Sequence, residues 1–151
     1  MVKKSRYRQG YFVPQNPQKY KGNHANIVYR SSWELTFYRW ADLNPTVLEW
    51  SSEEVVIPYL CETDNRIHRY FVDAYIKVKQ STGEVKQFLV EIKPEAQATP
   101  PKFPGRQTRR YLTEVTTFIK NQSKWKAAKK YAEARGMEFI VITEKDLGLK
   151  K

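Results

Sequence analysis

The stretch that most constrains this chain is residues 70–93, YFVDAYIKVKQSTGEVKQFLVEIK. Along its first part Tyr70, Val72, Ala74, Ile76 and Val78 fall on one face, and Phe71, Asp73, Tyr75 and Lys77 on the other. The last part repeats the pattern: Phe88, Val90 and Ile92 lie opposite Gln87, Leu89, Glu91 and Lys93. Alternation with period two is the mark of a β-strand. Between the arms, Gln80-Ser81-Thr82-Gly83-Glu84 is a turn cluster whose glycine can take positive φ. The stretch predicts an antiparallel hairpin.

A turn centred near Thr82 sets the register. Ala74 then faces Val90, Ile76 faces Phe88 and Val72 faces Ile92, three apolar pairs. The same register puts Asp73 opposite Glu91, with Cβ atoms roughly 4.5–5.5 Å apart. Facing carboxylates repel unless they share a proton or a cation. Lys93 follows on the face of Glu91, roughly 6.7 Å along the strand. Two acids and a lysine converging on one surface suit a divalent metal and phosphodiester hydrolysis. Mg²⁺ on one or two carboxylates activates a water and draws charge from a phosphate oxygen, and a neighbouring lysine orients the water or pairs with the developing charge. The plainer alternative is a solvated sheet face carrying a Glu–Lys pair. Glu-x-Lys alone is weak, because Glu84-Val85-Lys86 has the same form. That copy begins in the turn and has no aspartate facing it.

Charge distribution agrees with a polyanionic partner. The formal net charge is +11. Residues 1–30 hold seven Lys/Arg and no acids, residues 31–100 seven against eleven, and residues 101–151 thirteen against five. An acidic middle thus lies between basic ends. Arg106, Arg109, Arg110, Lys124, Lys126 and the N-terminal arm are candidate phosphate contacts, predicting salt-sensitive affinity for double-stranded DNA. Cys61 is the only cysteine, and His24 and His68 are the only histidines. A cysteine-based zinc site and a His-rich metal site are therefore not expected. No apolar run approaches a membrane span and residues 1–10 lack an apolar signal core, so an intracellular protein without a membrane partner is expected.

In chain order, residues 1–30 read as a basic, aromatic extended arm, or one folded back on its own domain, and residues 31–151 as a single domain. Ser31 to Leu43 reads as a helix. Ser31 and Glu34 form a capping box, and Trp33, Phe37, Trp40 and Ala41 supply the inner stripe. Glu34 is thereby explained structurally as the third helical residue. Val47–Trp50 and Val55–Leu60 read as strands joined by a turn at Ser51-Ser52-Glu53, and residues 61–68 as a polar loop. After the hairpin, Pro94 opens a proline-rich loop with no regular structure. Helices are expected over Arg106–Asn121 and Ser123–Arg135, stopped by Gly136. The second has Trp125, Ala128 and Ala132 inside. A buried strand over Phe139–Ile142 and the start of a last short helix complete the chain. The order implies an α/β or α+β domain, a mixed central sheet flanked by helices.

An acid on the first helix, then Asp73, then Glu91-Ile92-Lys93 on successive strands resembles the PD-(D/E)xK, restriction-endonuclease-like superfamily. The details resemble a branch of it: the transposon end-cleaving endonucleases and, more closely, the head-completion nucleases of T-even-type tailed phages. The stretches that carry this are residues 29–59 (YRSSWELTFYRWADLNPTVLEWSSEEVVIPY), 68–76 (HRYFVDAYI), 90–94 (VEIKP) and 121–147 (NQSKWKAAKKYAEARGMEFIVITEKDL). Val72 stands where the motif's name has proline. The resemblance implies Asp73, Glu91 and the Ile92 carbonyl as metal ligands, Lys93 as catalytic lysine, and Glu34 as accessory ligand or water-orienting acid. Gln97 would add a polar contact. It further implies Mg²⁺ as cofactor with Mn²⁺ able to substitute, and DNA cleavage during phage head completion, before head–tail joining. The implied setting is the host cytoplasm or the virion, with head, portal or neck proteins as partners. A protein that keeps this fold but only binds a DNA end or the portal is the alternative.

Overall fold

The computed structural model describes residues 9–148. Its centre is a four-stranded mixed sheet built on the expected hairpin. Strands β6 (Ala74–Lys79) and β7 (Val85–Ile92) are antiparallel, with Ala74 paired to Val90 and Ile76 to Phe88, as the alternation requires. Gly83, at φ 89°, closes the turn by donating to the Gln80 carbonyl. Strand β3 (Val47–Ser52) lies antiparallel to the outer edge of β6, and β8 (Glu138–Ile142) runs parallel to β7. The parallel pairing needs a long crossover, supplied by helix α3 (Arg109–Ala134).

Both faces of this sheet are buried, and they separate two cores. On one face Ala74, Ile76, Val90 and Ile92 pack with helix α1 (Ser32–Leu43) and Trp50. On the other, Tyr75 and Leu89 pack with Ala128 and Ala132 of α3 and with a second hairpin, β4 (Val56–Cys61) and β5 (Arg66–Phe71). The second core holds the expected inner stripe of the late helix, and Gly136, at φ 70°, ends that segment.

Several expectations are corrected. The first arm is not one strand. Pairing with β7 stops at Ala74, and the chain before it turns away to pair with β4. Val72 therefore does not face Ile92; its N–H donates to Val55 O, and Tyr70 and Val72 lie in the α3 core. Ser51 and Ser52 continue β3 instead of forming a turn, because they pair with Tyr75 and Ala74. Only residues 62–65 of the expected polar loop are a turn, since Arg66 to His68 already pair in β5. Glu95–Ala98 forms a one-turn helix, α2, inside the proline-rich segment. Its first N–H, from Glu95, donates to the buried carboxylate of Glu144. The two late helices are one. Ser123, expected to start the second, instead donates its hydroxyl to Ile119 O within the continuous helix, which begins at Thr108 as N-cap. Residues 144–148 are turns, not a helix.

Helix α1 starts as expected, Ser31 Oγ accepting from Glu34 N at 3.1 Å. Its inner face is rotated, however. Tyr38 is fully buried and Trp40 is 44% exposed. The reason is the N-terminal segment. Strands β1 (Gly10–Phe12) and β2 (Ile27–Tyr29) form an antiparallel ribbon, and Phe12, Tyr20 and Ile27 enter the α1 core. Lys19 is not free for phosphate. Its ammonium donates to the carbonyls of Ala41, Asp42 and Asn44 at the end of α1. The buried Asp42 carboxylate accepts from Gln15 N and Asn16 N. The segment over residues 10–29 is thus folded back on the domain. Lys3, Lys4, Arg6, Tyr7 and Arg8 of the expected arm lie outside the described residues.

Candidate active site

Asp73 sits where β5 gives way to β6. The strand changes sheet here, and the change is stabilised from three sides. Val72 N donates to Val55 O, Glu53 N to Asp73 O, and Ile92 N to Asp73 Oδ2 at 2.8 Å. The aspartate side chain thus replaces the backbone acceptor that Ile92 would have met had the ladder continued. The phase slip has a second result. It carries Tyr70 to the α3 side of the sheet, where its hydroxyl donates to Glu91 Oε2.

Glu91 is 4% exposed. Lys93 Nζ lies 3.6 Å from its Oε1. The third acid comes from α1. Glu34 Oε1 accepts from Tyr38 OH at 3.0 Å, and its Oε2 accepts from Ser31 Oγ at 3.3 Å. The capping box is therefore only half made, with the Glu34 carboxylate turned inward to Tyr38. Tyr38 also bonds Ser52 Oγ at 2.6 Å, tying α1 to β3 beside the site.

The electrostatics are those of crowded anions. Burial, then the charge of Glu91, pushes Asp73 well above the usual carboxylate range; Glu34 adds to the effect. Burial also raises Glu91, opposed by its Tyr70 hydrogen bond and by Lys93 and Lys124. Glu34 is raised mainly by burial. Lys124 of α3 is pushed down by burial and then by Lys93, and its ammonium lies 5.7 Å from the Tyr70 ring centre. Asp73, Glu91, Lys93 and Lys124 thus act on one another's charge, and Glu34 lies on the same cleft as Asp73 and Lys93. This hard, oxygen-rich donor set, short of compensating charge, fits Mg²⁺ or Mn²⁺ on Asp73 and Glu91.

A cleft of about 240 Å³ opens onto the cluster, lined by Arg30, Glu34, Asp73, Ile92, Lys93 and Gln97 among others. Glu91 reaches the cluster from beneath this lining. The cleft shares Pro94 and Gln97 with a wider groove beside α2 and the first half of α3, where Arg110, Thr113 and Thr117 contribute.

The candidate phosphate contacts divide. Arg110 lines the groove and pairs with Glu114 at 3.0 Å. Arg106 and Arg109 are exposed before and at the start of α3. Lys124 belongs to the acidic cluster itself. Lys126 is turned away from it, into a hollow with Glu62 and Phe139. Two functional candidates escaped the sequence reading. Alternation carried through the break puts Tyr70 on the wrong face. Lys120, whose charge acts on Lys124, goes unseen while a helix break is expected between the two. Its spacing of four residues from Lys124 would have revealed it once α3 was known to be continuous.

Comparison with known proteins agrees with this fold. Residues 44–144 match the family model described as TnsA-like endonuclease N terminal, a span that contains Asp73, Glu91 and Lys93. The chain is also 42% identical over 142 residues to the "Head completion nuclease" of Enterobacteria phage T4, an alignment covering 91% of this chain and 92% of the phage protein.

Proposed function

Because the chain belongs to the TnsA-like endonuclease N-terminal family, with a restriction-endonuclease-like fold, we propose that its acidic cleft hydrolyses phosphodiester bonds of double-stranded DNA with Mg²⁺ as cofactor. The observation that carries this reading is the buried Glu91 beside half-buried Asp73, with Glu34 on the same cleft and Lys93 3.6 Å from Glu91. Leaving such anions uncompensated is costly, and a divalent cation relieves the cost.

Asp73, Glu91 and the Ile92 carbonyl would hold the ion, with Mn²⁺ able to replace Mg²⁺. When bound, the ion supplies a more acidic water and charge neutralisation at a phosphate oxygen. The protein's own groups do the rest. Asp73 is fixed by Ile92 N, so the ligand geometry is preorganised. Tyr70 orients Glu91. Lys93 points its ammonium at the cluster and pairs with charge developing on the phosphate. Glu34, raised above the usual carboxylate range and at the edge of the same cleft, orients the attacking water. Arg30 on one wall, Arg110 in the groove beside α2, and Lys120 and Lys124 of α3 hold flanking phosphates; Arg106 and Arg109 extend that path.

By similarity to the phage T4 protein, the reaction belongs to head completion, on DNA in the host cytoplasm before a tail is joined, and a head, portal or neck protein presents the DNA. Among the described residues no helix is long and apolar enough to cross a membrane.

The test is cleavage of linear and covalently closed duplex DNA with Mg²⁺, Mn²⁺ or chelator, comparing wild type with Asp73→Ala and Lys93→Ala. Metal-dependent cutting by wild type alone is the expected result. DNA binding without cutting in any metal would instead favour a protein that only binds DNA ends.

A further inference from the structure

We propose that the tip of the β4–β5 hairpin is a second cation site, for a borderline-soft divalent ion of the Zn²⁺ type, formed by Cys61, Asp64 and His68. One ligand atom from each of these residues lies within 4.8 Å of the other two. The donor set, one sulfur, one oxygen and one imidazole nitrogen, is unlike the all-oxygen cluster of the cleft. It suits zinc, which binds such ligands at roughly 2.0–2.3 Å. Three protein ligands leave a fourth position for water.

Local structure explains why they meet. Cys61 ends β4 and points inward, 0% exposed, on the same face as Tyr59. His68 pairs with Tyr59 across the hairpin, its ring stacked on the tyrosine at 5.7 Å, so it is the diagonal neighbour of Cys61. Residues 62–65 then turn through Asn65, at φ 59°, and fold Asp64 back over the strand ends. Asp64 Oδ1 is anchored by Arg66 N at 3.0 Å, and Oδ2 is left facing His68 Nε2 at 2.7 Å. Cys61 Sγ has Thr63 Oγ1 at 3.0 Å as its partner. Ligand atoms on a tetrahedral ion stand about 3.3–3.8 Å apart. A small opening of the Asp64–His68 pair, both about 40% exposed, admits the ion from solvent.

Binding releases the Cys61 thiol proton, and His68 takes the tautomer protonated at Nδ1 so that Nε2 ligates. Asp64 is already an anion, held low by His68 first and by Arg66 N. A lone cysteine does not point to a thiolate site by its count. The mixed set becomes visible only when residues 61–68 are seen as a strand, a tight turn and a strand. The ion would cross-link the tip of a hairpin whose base, at Tyr70, holds Glu91.

The experiment is a Co²⁺ titration of the full chain with Mg²⁺ in large excess, followed by absorption. The excess Mg²⁺ occupies oxygen-only sites and does not compete for a thiolate. The expected result is one equivalent of Co²⁺ giving an intense near-ultraviolet thiolate-to-cobalt band with tetrahedral visible bands, displaced by one equivalent of Zn²⁺. Cys61→Ser and His68→Ala should each abolish the band. His68 is partly exposed, so His68→Ala keeps the test decisive even where Cys61→Ser fails to fold. Absence of the thiolate band in wild type, or its persistence in His68→Ala, overturns the site.

Discussion

One short region of this chain contains the same tripeptide pattern twice, seven residues apart, in two opposite environments. Glu84-Val85-Lys86 opens β7, with Glu84 exposed in the turn and Lys86 reaching Glu138 at 3.8 Å across open surface. Glu91-Ile92-Lys93 closes it, with Glu91 at 4% exposure beneath Tyr70, Asp73 and Lys93. The difference does not lie in the residues. It lies in what the neighbouring strand does. At the turn end the hairpin stands in solvent, where ion pairs contribute little. At the other end β5 leaves the sheet, Asp73 is turned into the gap, and α1 and α3 close over both faces. In the proposed function, a Glu-x-Lys becomes chemistry when the fold removes water and adds a second anion.

This contrast can be broken experimentally. The largest effect should come from the acids. Glu91→Gln and Asp73→Ala should lower the rate of Mg²⁺-dependent DNA cleavage by about a thousandfold or more, to the chelated background. Glu84→Gln should leave it within experimental error in the same assay. Next is the lysine. Lys93→Ala should cost about 10²–10³-fold in rate, as loss of one charge-stabilising donor does, and Lys86→Ala nothing measurable. Tyr70→Phe removes only the group that orients Glu91. It should raise the Mg²⁺ concentration needed for half-maximal rate by about 10–100-fold, read from a metal titration.

Smaller effects sharpen the account. Lys120→Ala and Lys124→Ala should each flatten the dependence of log DNA affinity on log salt by about one unit, whereas Lys126→Ala, on the far side of α3, should not. The smallest is on stability. Asp73 and Glu91 have raised pKa values in the folded chain, so the fold binds more protons than the unfolded chain above the ordinary carboxylate range. Metal-free stability therefore falls as pH rises through that range toward the raised values, and is greatest below it. Asp73→Asn keeps an acceptor for Ile92 N without the charge. At neutral pH it should stabilise the metal-free protein by about 1 kcal/mol, roughly 2–4 °C in Tm by scanning calorimetry, and Mg²⁺ should stabilise wild type more than this variant.

What could be read from the sequence was local and periodic. The hairpin register followed from two alternating arms and one glycine turn, and Ala74–Val90 and Ile76–Phe88 pair as that logic demands. The capping serine of α1 was likewise a property of four residues. What escaped depended on chain reversals that leave no period. The departure of β5 at Val72 looks like continued alternation, because Tyr70 and Val72 are apolar on whichever face they land. The folding back of residues 10–29 is held by Lys19 on carbonyls and Asp42 on backbone amides, contacts that composition does not announce. Ser123 reads as the start of a second helix, yet its hydroxyl bonds the carbonyl four residues back, as those of Thr113 and Thr116 do, and the helix continues. For the site, Asp73, Glu91 and Lys93 were legible as neighbours because the register carries all three to the open end of the hairpin, although pairing stops at Ala74 and Asp73 meets Ile92 N instead of lying in the ladder opposite Glu91. Tyr70 and Lys120 were not, because one depends on a strand break and the other on helix continuity.

Anomalous diffraction from crystals of the protein soaked in Mn²⁺ addresses the central claim most directly. A manganese peak bridging the Asp73 and Glu91 carboxylates, with none beside Glu84, is the predicted result. A map with no peak there, from crystals in which both side chains are ordered, would contradict it.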